Sequence, residues 1–124
     1  MSTSNLPDAV QQALTAAAAE VETHGCACTL FAVVNANGTL AFGFGAVSST
    51  KLATGEYQVI FNRNVRDCAY VATIGLSGNL GGSPAGEIAV VGRFNNVNGV
   101  FVQTFTSAGV PADLGFHLAV HCRP

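Results

Sequence analysis

Four cysteines, at positions 26, 28, 68 and 122, are the residues of this 124-residue chain best placed to do chemistry or to fix its covalent form. Cys26-Ala27-Cys28 puts two thiols on one face of an extended segment. His24 would extend them to a His-x-Cys-x-Cys set, with Cys68 or Cys122 as a fourth zinc ligand. Structural zinc sites pair their ligands at Cys-x₂₋₄-Cys, a spacing this segment lacks. A second reading joins Cys68 to Cys122, both in strongly apolar runs, as a disulfide. The third, favoured in a reducing compartment, is free thiols buried as small apolar side chains. A thiol nucleophile is disfavoured on the same ground, because an apolar setting raises its pKa and leaves little thiolate.

The remaining reactive groups are sparse. Glu56, Asp67, Glu87 and Asp113 carry the carboxylates of the body, and none is paired with another at short spacing. The serines lie in polar loops without a Gly-x-Ser-x-Gly elbow. Gly75 to Gly82 is glycine-rich but lacks the Lys-Ser/Thr of a phosphate-binding loop, and no helical pattern follows it. The sequence therefore implies no enzyme, no cofactor and no metal. His117 and His121 are four positions apart, roughly 13 Å along a strand, too far to share one metal within a chain. Around a symmetry axis, copies of either histidine would meet as a metal or proton site. The plainer reading, which carries more weight, is two half-exposed surface histidines.

Two kinds of element must position these groups. Ser4 or Asn5 can cap a helix, Pro7 suits its first turn, and Asp8 complements the positive end of its dipole. Pro7, Val10, Leu14, Ala17, Val21 and His24 then follow alternating spacings of three and four, and Gly25 supplies a stop. Residues 1–25 are expected as an accessory helix and residues 26–124 as a β-sandwich domain. The alanine-rich seam buries little area per residue, so the helix packs on its own β-body or bundles with those of neighbouring copies.

The body alternates. Thr29 to Val34 and Thr39 to Phe44 flank Asn35-Ala36-Asn37-Gly38, a hairpin signal because Asn-Gly accepts positive φ. Further strands are expected at Glu56 to Phe61, Cys68 to Ile74, Glu87 to Phe94, Val100 to Phe105 and Gly115 to Cys122. The continuously apolar Cys68 run reads as a central strand, and Gly75 to Gly86 reads as a loop. About seven or eight strands at this spacing, with no helix between them, predict a mainly β fold: an antiparallel jelly-roll-like sandwich preceded by one N-terminal α-helix. Phe116, Leu118, Val120 and Cys122 should be buried, with His117, Ala119 and His121 facing away.

Charged residues are 10% of the chain and apolar residues 49%. So little charge implies either a neutral polar surface or, the favoured reading, faces covered by other subunits. The net charge of −2, with five scattered Lys and Arg, gives no nucleic-acid footprint. No stretch reads as a membrane span or a secretion signal, so a cytoplasmic setting or export by an unmarked route is expected. Candidate contacts between copies are Val10, Leu14 and Val21 on the helix, Tyr57, Val59 and Phe61 on one strand, Val100, Phe101, Val102 and Phe105 on another, and His117 and His121. Alternation shows two stripes on each strand but not which one faces the core.

The stretch Phe61-Asn62-Arg63-Asn64-Val65-Arg66-Asp67-Cys68-Ala69-Tyr70-Val71-Ala72-Thr73-Ile74-Gly75, with Phe116-His117-Leu118-Ala119-Val120-His121-Cys122 downstream, resembles small bacterial β-domains of unassigned function. Some of these form C-terminal heads of collagen-like or tail-fibre-like proteins. In outline the chain is also similar to C1q/TNF-like jelly rolls, and that resemblance implies a trimer and no catalytic residue. The expected function is a non-enzymatic interaction module that self-assembles, with a trimer favoured. The alternative is a small-ligand or glycan-binding jelly roll using Tyr57, Tyr70 or a loop Phe as its platform.

Overall fold

A computed structural model describes residues 29–124 of the chain. The expected helix with Val10, Leu14 and Val21, and the zinc candidates His24, Cys26 and Cys28, lie outside the described residues. The described residues form eight strands: β1 Thr29–Val34, β2 Leu40–Phe44, β3 Ala46–Ala53, β4 Glu56–Phe61, β5 Ala69–Ile74, β6 Glu87–Gly92, β7 Gly99–Phe105 and β8 Phe116–His121. They form two four-stranded sheets, ordered β2-β1-β8-β5 and β3-β4-β7-β6. Every strand pairing within the sheets is antiparallel.

The core lies between the sheets and follows the period-2 alternation of the central strands. Tyr57, Val59 and Phe61 of β4 and Val100 and Val102 of β7 meet Phe116, Leu118 and Val120 of β8, all essentially without exposure. The Tyr57 and Phe116 rings cross edge to face with centroids 5.1 Å apart. Each such side chain contributes about 1.5–3 kcal/mol by leaving water. Of the contact candidates, Tyr57, Val59, Phe61, Val100 and Val102 are thus core residues within one chain. Their strands turn Gln58, Phe101 and Phe105 to the opposite face, where they are half-buried.

Two strand assignments change. Ala46–Ala53 is a full strand, β3, that its Ser-Ser-Thr-Lys segment hides: neither face of this edge strand is fully buried, so nothing imposes an apolar alternation on it. β5 is not central. It is the edge of its sheet, hydrogen-bonded only to β8. The chain passes from the first sheet to the second at Gly45, between β2 and β3, where φ is +76°. The hairpin at Asn37-Gly38 forms as its sequence indicates, with Gly38 at φ +93° and packed so close to Lys51 that a Cβ would sit 2.6 Å from the Lys51 nitrogen.

Cys68 and Cys122 are joined in a disulfide. This overturns the free-thiol reading for these two, removes both as zinc ligands, and leaves no thiolate for nucleophilic chemistry at either position. The physical reason is register. Ala69 pairs with His121, so the residues just outside that pair are brought side by side as the strands end.

Candidate functional site

The outer face of the first sheet is the most distinctive surface among the described residues. Its rows are set by register: Phe31, Ala119 and Val71 lie abreast on β1, β8 and β5, and Val33, His117 and Thr73 form the next row. Phe42 of β2 sits opposite Val33 and crosses Phe31 edge to face at 6.5 Å. Phe31 is 38% exposed, Phe42 52% and Val71 60%. Not one Asp, Glu, Lys or Arg occurs in the four strands of this sheet. A shallow groove of about 340 Å³ runs over the face between Phe31, Val71 and His117.

Both strand histidines belong to this face, as alternation predicts. His117 is half-buried, and its Nε2 lies 2.9 Å from the Leu76 carbonyl oxygen. A carbonyl only accepts, so Nε2 carries the proton there and is not free to ligate a metal. The ring also fills the space over Gly75, where a Cβ would meet its Cδ2 at 3.0 Å. His121 is exposed and lies 3.3 Å through Nδ1 from the Thr29 hydroxyl. Each histidine is therefore oriented by its own chain, one by the 75–86 loop and the other by the start of β1.

The second sheet's outer face is different. Glu56, Gln58 and Gln103 share it with Phe101 and Phe105, and Arg93 covers Phe101 from 5.7 Å while donating to the Gln58 side chain at 2.9 Å. Phe101 and Phe105 are thus embedded in a polar surface with a cation over one ring. At the far end of the sandwich, Lys51 and Asp113 form an ion pair at 2.6 Å, and Asp113 also accepts from the Gly55 amide. Those two donors hold the Asp113 carboxyl below its ordinary pKa, the Lys51 hydrogen bond being the larger cause. Burial, followed by the Asp113 charge, raises the Tyr57 phenol. The Tyr57 hydroxyl donates to the Ala36 carbonyl at 2.6 Å, so its role is to tie the sheets together at that end.

The carboxylates of the described residues are divided between the two ends of the sandwich. Glu56, Glu87 and Asp113 lie toward one end of the sandwich, whereas Asp67 lies in the β4–β5 connection at the other. A second groove, of about 330 Å³, lies between Asn35 and the loop segment from Leu76 to Leu80. Its polar groups are partly spent inside the chain, since Ser77 donates to the Asn35 side-chain oxygen at 3.0 Å. Among the described residues no helix is long and apolar enough to cross a membrane, and no three His, Cys, Asp or Glu side chains cluster as metal ligands. The site that stands out is thus a surface, and sequence reasoning missed it by reading alternation strand by strand. Its signal was the absence of charge from four strands that the fold places side by side. No protein family, curated protein or solved structure matches this chain.

Proposed function

We propose that the chain is a non-enzymatic interaction module that self-assembles, with a trimer favoured, through the outer face of the β2-β1-β8-β5 sheet. One observation carries this reading. β5 is written as a strand buried on both faces, yet within one chain its outer residue Val71 is 60% exposed on the same face as Phe31 and Phe42. Continuous apolar runs belong to strands covered on both sides, and a soluble surface rarely leaves such a patch open. A second copy presenting the same uncharged face covers it without burying any ionised group.

The strand order supports a jelly-roll winding. β1 lies beside β8 in one sheet and β4 beside β7 in the other, while β5 and β6 continue outward from those pairs. That nesting is what the resemblance to C1q/TNF-like heads implies, and with it comes the preference for three copies. His117 and His121 lie on the proposed interface, and the remaining candidates Phe101 and Phe105 lie on the opposite sheet. The Cys68–Cys122 bond supports an oxidising setting over the cytoplasm, because such bonds persist where thiols are not kept reduced. Native mass spectrometry of the full chain tests the proposal. A trimer mass is expected, and a monomer across the accessible concentration range would end it.

A further inference from the structure

The end of the sandwich formed by the β4–β5 connection and the β6–β7 turn carries a chemistry that self-assembly does not use. The segments Asn62-Arg63-Asn64-Val65-Arg66-Asp67 and Arg93-Phe94-Asn95-Asn96-Val97-Asn98 hold five asparagines, a single acid, and the arginines 63, 66 and 93, of which Arg93 turns its guanidinium over Phe101 on the second sheet's outer face. They are tied into one platform. The Val65 amide donates to the Val97 carbonyl at 2.8 Å, and Arg66 Nη2 donates to the Arg93 carbonyl at 2.7 Å. Val65 is fully buried beneath the platform, and the Tyr70 hydroxyl donates to its carbonyl at 2.6 Å. Above it, Arg63, Asn64, Asn95 and Asn96 are exposed, and Phe94 is 79% exposed with no part in the core.

We infer that this platform binds an acidic saccharide, a glycan chain bearing uronic-acid carboxylates. A guanidinium fork matches a carboxylate in shape and charge. Asparagine amides offer both donors and acceptors to ring hydroxyls. The Phe94 face can stack on the electropositive C–H face of a sugar ring. What separates this ligand from nucleic acid is the composition of the platform: five asparagines suit ring hydroxyls, whereas tracking a polyphosphate backbone calls for a row of Lys and Arg that these two loops lack. The site lies on loops outside the first sheet's outer face, so it is independent of the self-assembly proposed above.

Calorimetric titration of the full chain with an oligogalacturonate tests the inference, with a neutral oligogalactan of equal length and a single-stranded DNA as parallel arms. Binding of the oligogalacturonate alone is expected, and it should weaken as salt is raised. Arg63→Gln and Phe94→Ala should each weaken it about tenfold or more, with the melting temperature and assembly mass unchanged. The inference is overturned by no binding at millimolar ligand, by equal binding of the neutral sugar, by tighter binding of the DNA, or by variants that bind as well as the parent. Growth of the assembly mass with concentration at low salt, abolished by Arg63→Gln, would overturn it too. The platform would then be an end-to-end contact with the acidic end of another copy.

Discussion

Cys68 and Cys122 are bonded with their Cα atoms 4.3 Å apart, immediately beyond the Ala69–His121 pair, so the start of β5 is fastened covalently to the end of β8. That attachment matters because β5 is an edge strand with one hydrogen-bonded neighbour, and its outer residue Val71 belongs to the proposed interface. The bond keeps in register one of the two edge strands of its sheet. It also closes a loop spanning 54 positions, which includes all of β6 and β7.

Removing it should therefore weaken the whole fold. A Cys68→Ser/Cys122→Ser variant is expected to lose about 4 kcal/mol on the chain-entropy account of a loop this long. Denaturant titration measures this as a lower midpoint, and the parent treated with reductant should move with the variant. An unchanged midpoint in both would show that the bond does not support the sheet.

Much of this was legible in the residues, for a physical reason. The stripe Phe116, Leu118, Val120, Cys122 reads as buried and is buried, because β8 is central and sees the same neighbours at every second position. The Asn37-Gly38 hairpin was equally plain, since glycine accepts the positive φ that the turn requires at position 38. What stayed hidden depended on partners far away in sequence. β3 lacks alternation because neither of its faces is fully buried. β5 looks central because its outer face is apolar, and only register reveals that Phe31 and Phe42 continue that face. The platform of Arg63 and Phe94 joins two loops 31 positions apart through backbone hydrogen bonds, which no local pattern encodes.

Tyr57 offers a graded test of the packing between the sheets. Tyr57→Phe keeps the ring against Phe116 and loses only the bond to the Ala36 carbonyl, so a cost of about 1 kcal/mol is expected. Phe116→Ala empties the ring's place and should cost about 3–5 kcal/mol. Equal destabilisation of the two in urea would show that the hydroxyl, and not the ring contact, dominates.

Acid stability should depend on Asp113. Its carboxyl pKa is lowered by the hydrogen bond from Lys51 and then by the Gly55 amide. A lowered native value means that the contribution is complete above the ordinary carboxylate value and is lost as pH falls through Asp113's own. Asp113→Asn retains an oxygen for Gly55 but loses the charge that attracts Lys51. The melting temperatures of parent and variant should thus differ most near neutrality and converge as pH falls below the ordinary carboxylate value and through Asp113's own lowered one. The difference should shrink in high salt, because the pair is only half-buried. A gap that stayed constant over that range would assign the stability to another group.

The self-assembly proposal separates two residues of one sheet that alternation alone would treat alike. Val71→Glu places a charge on the exposed face, where in a single chain it remains in water, so the fold should survive. In an assembly the same carboxylate is taken out of water without a partner, and such burial costs several kcal/mol per site. Leu118→Glu puts its charge between the sheets, where Leu118 is 1% exposed, and should unfold the chain whether or not it assembles. Sedimentation velocity with circular dichroism distinguishes the outcomes. Val71→Glu is expected as a folded monomer and Leu118→Glu as an unfolded chain. A Val71→Glu variant that kept the parent's assembly mass would show that the uncharged face is not where copies meet.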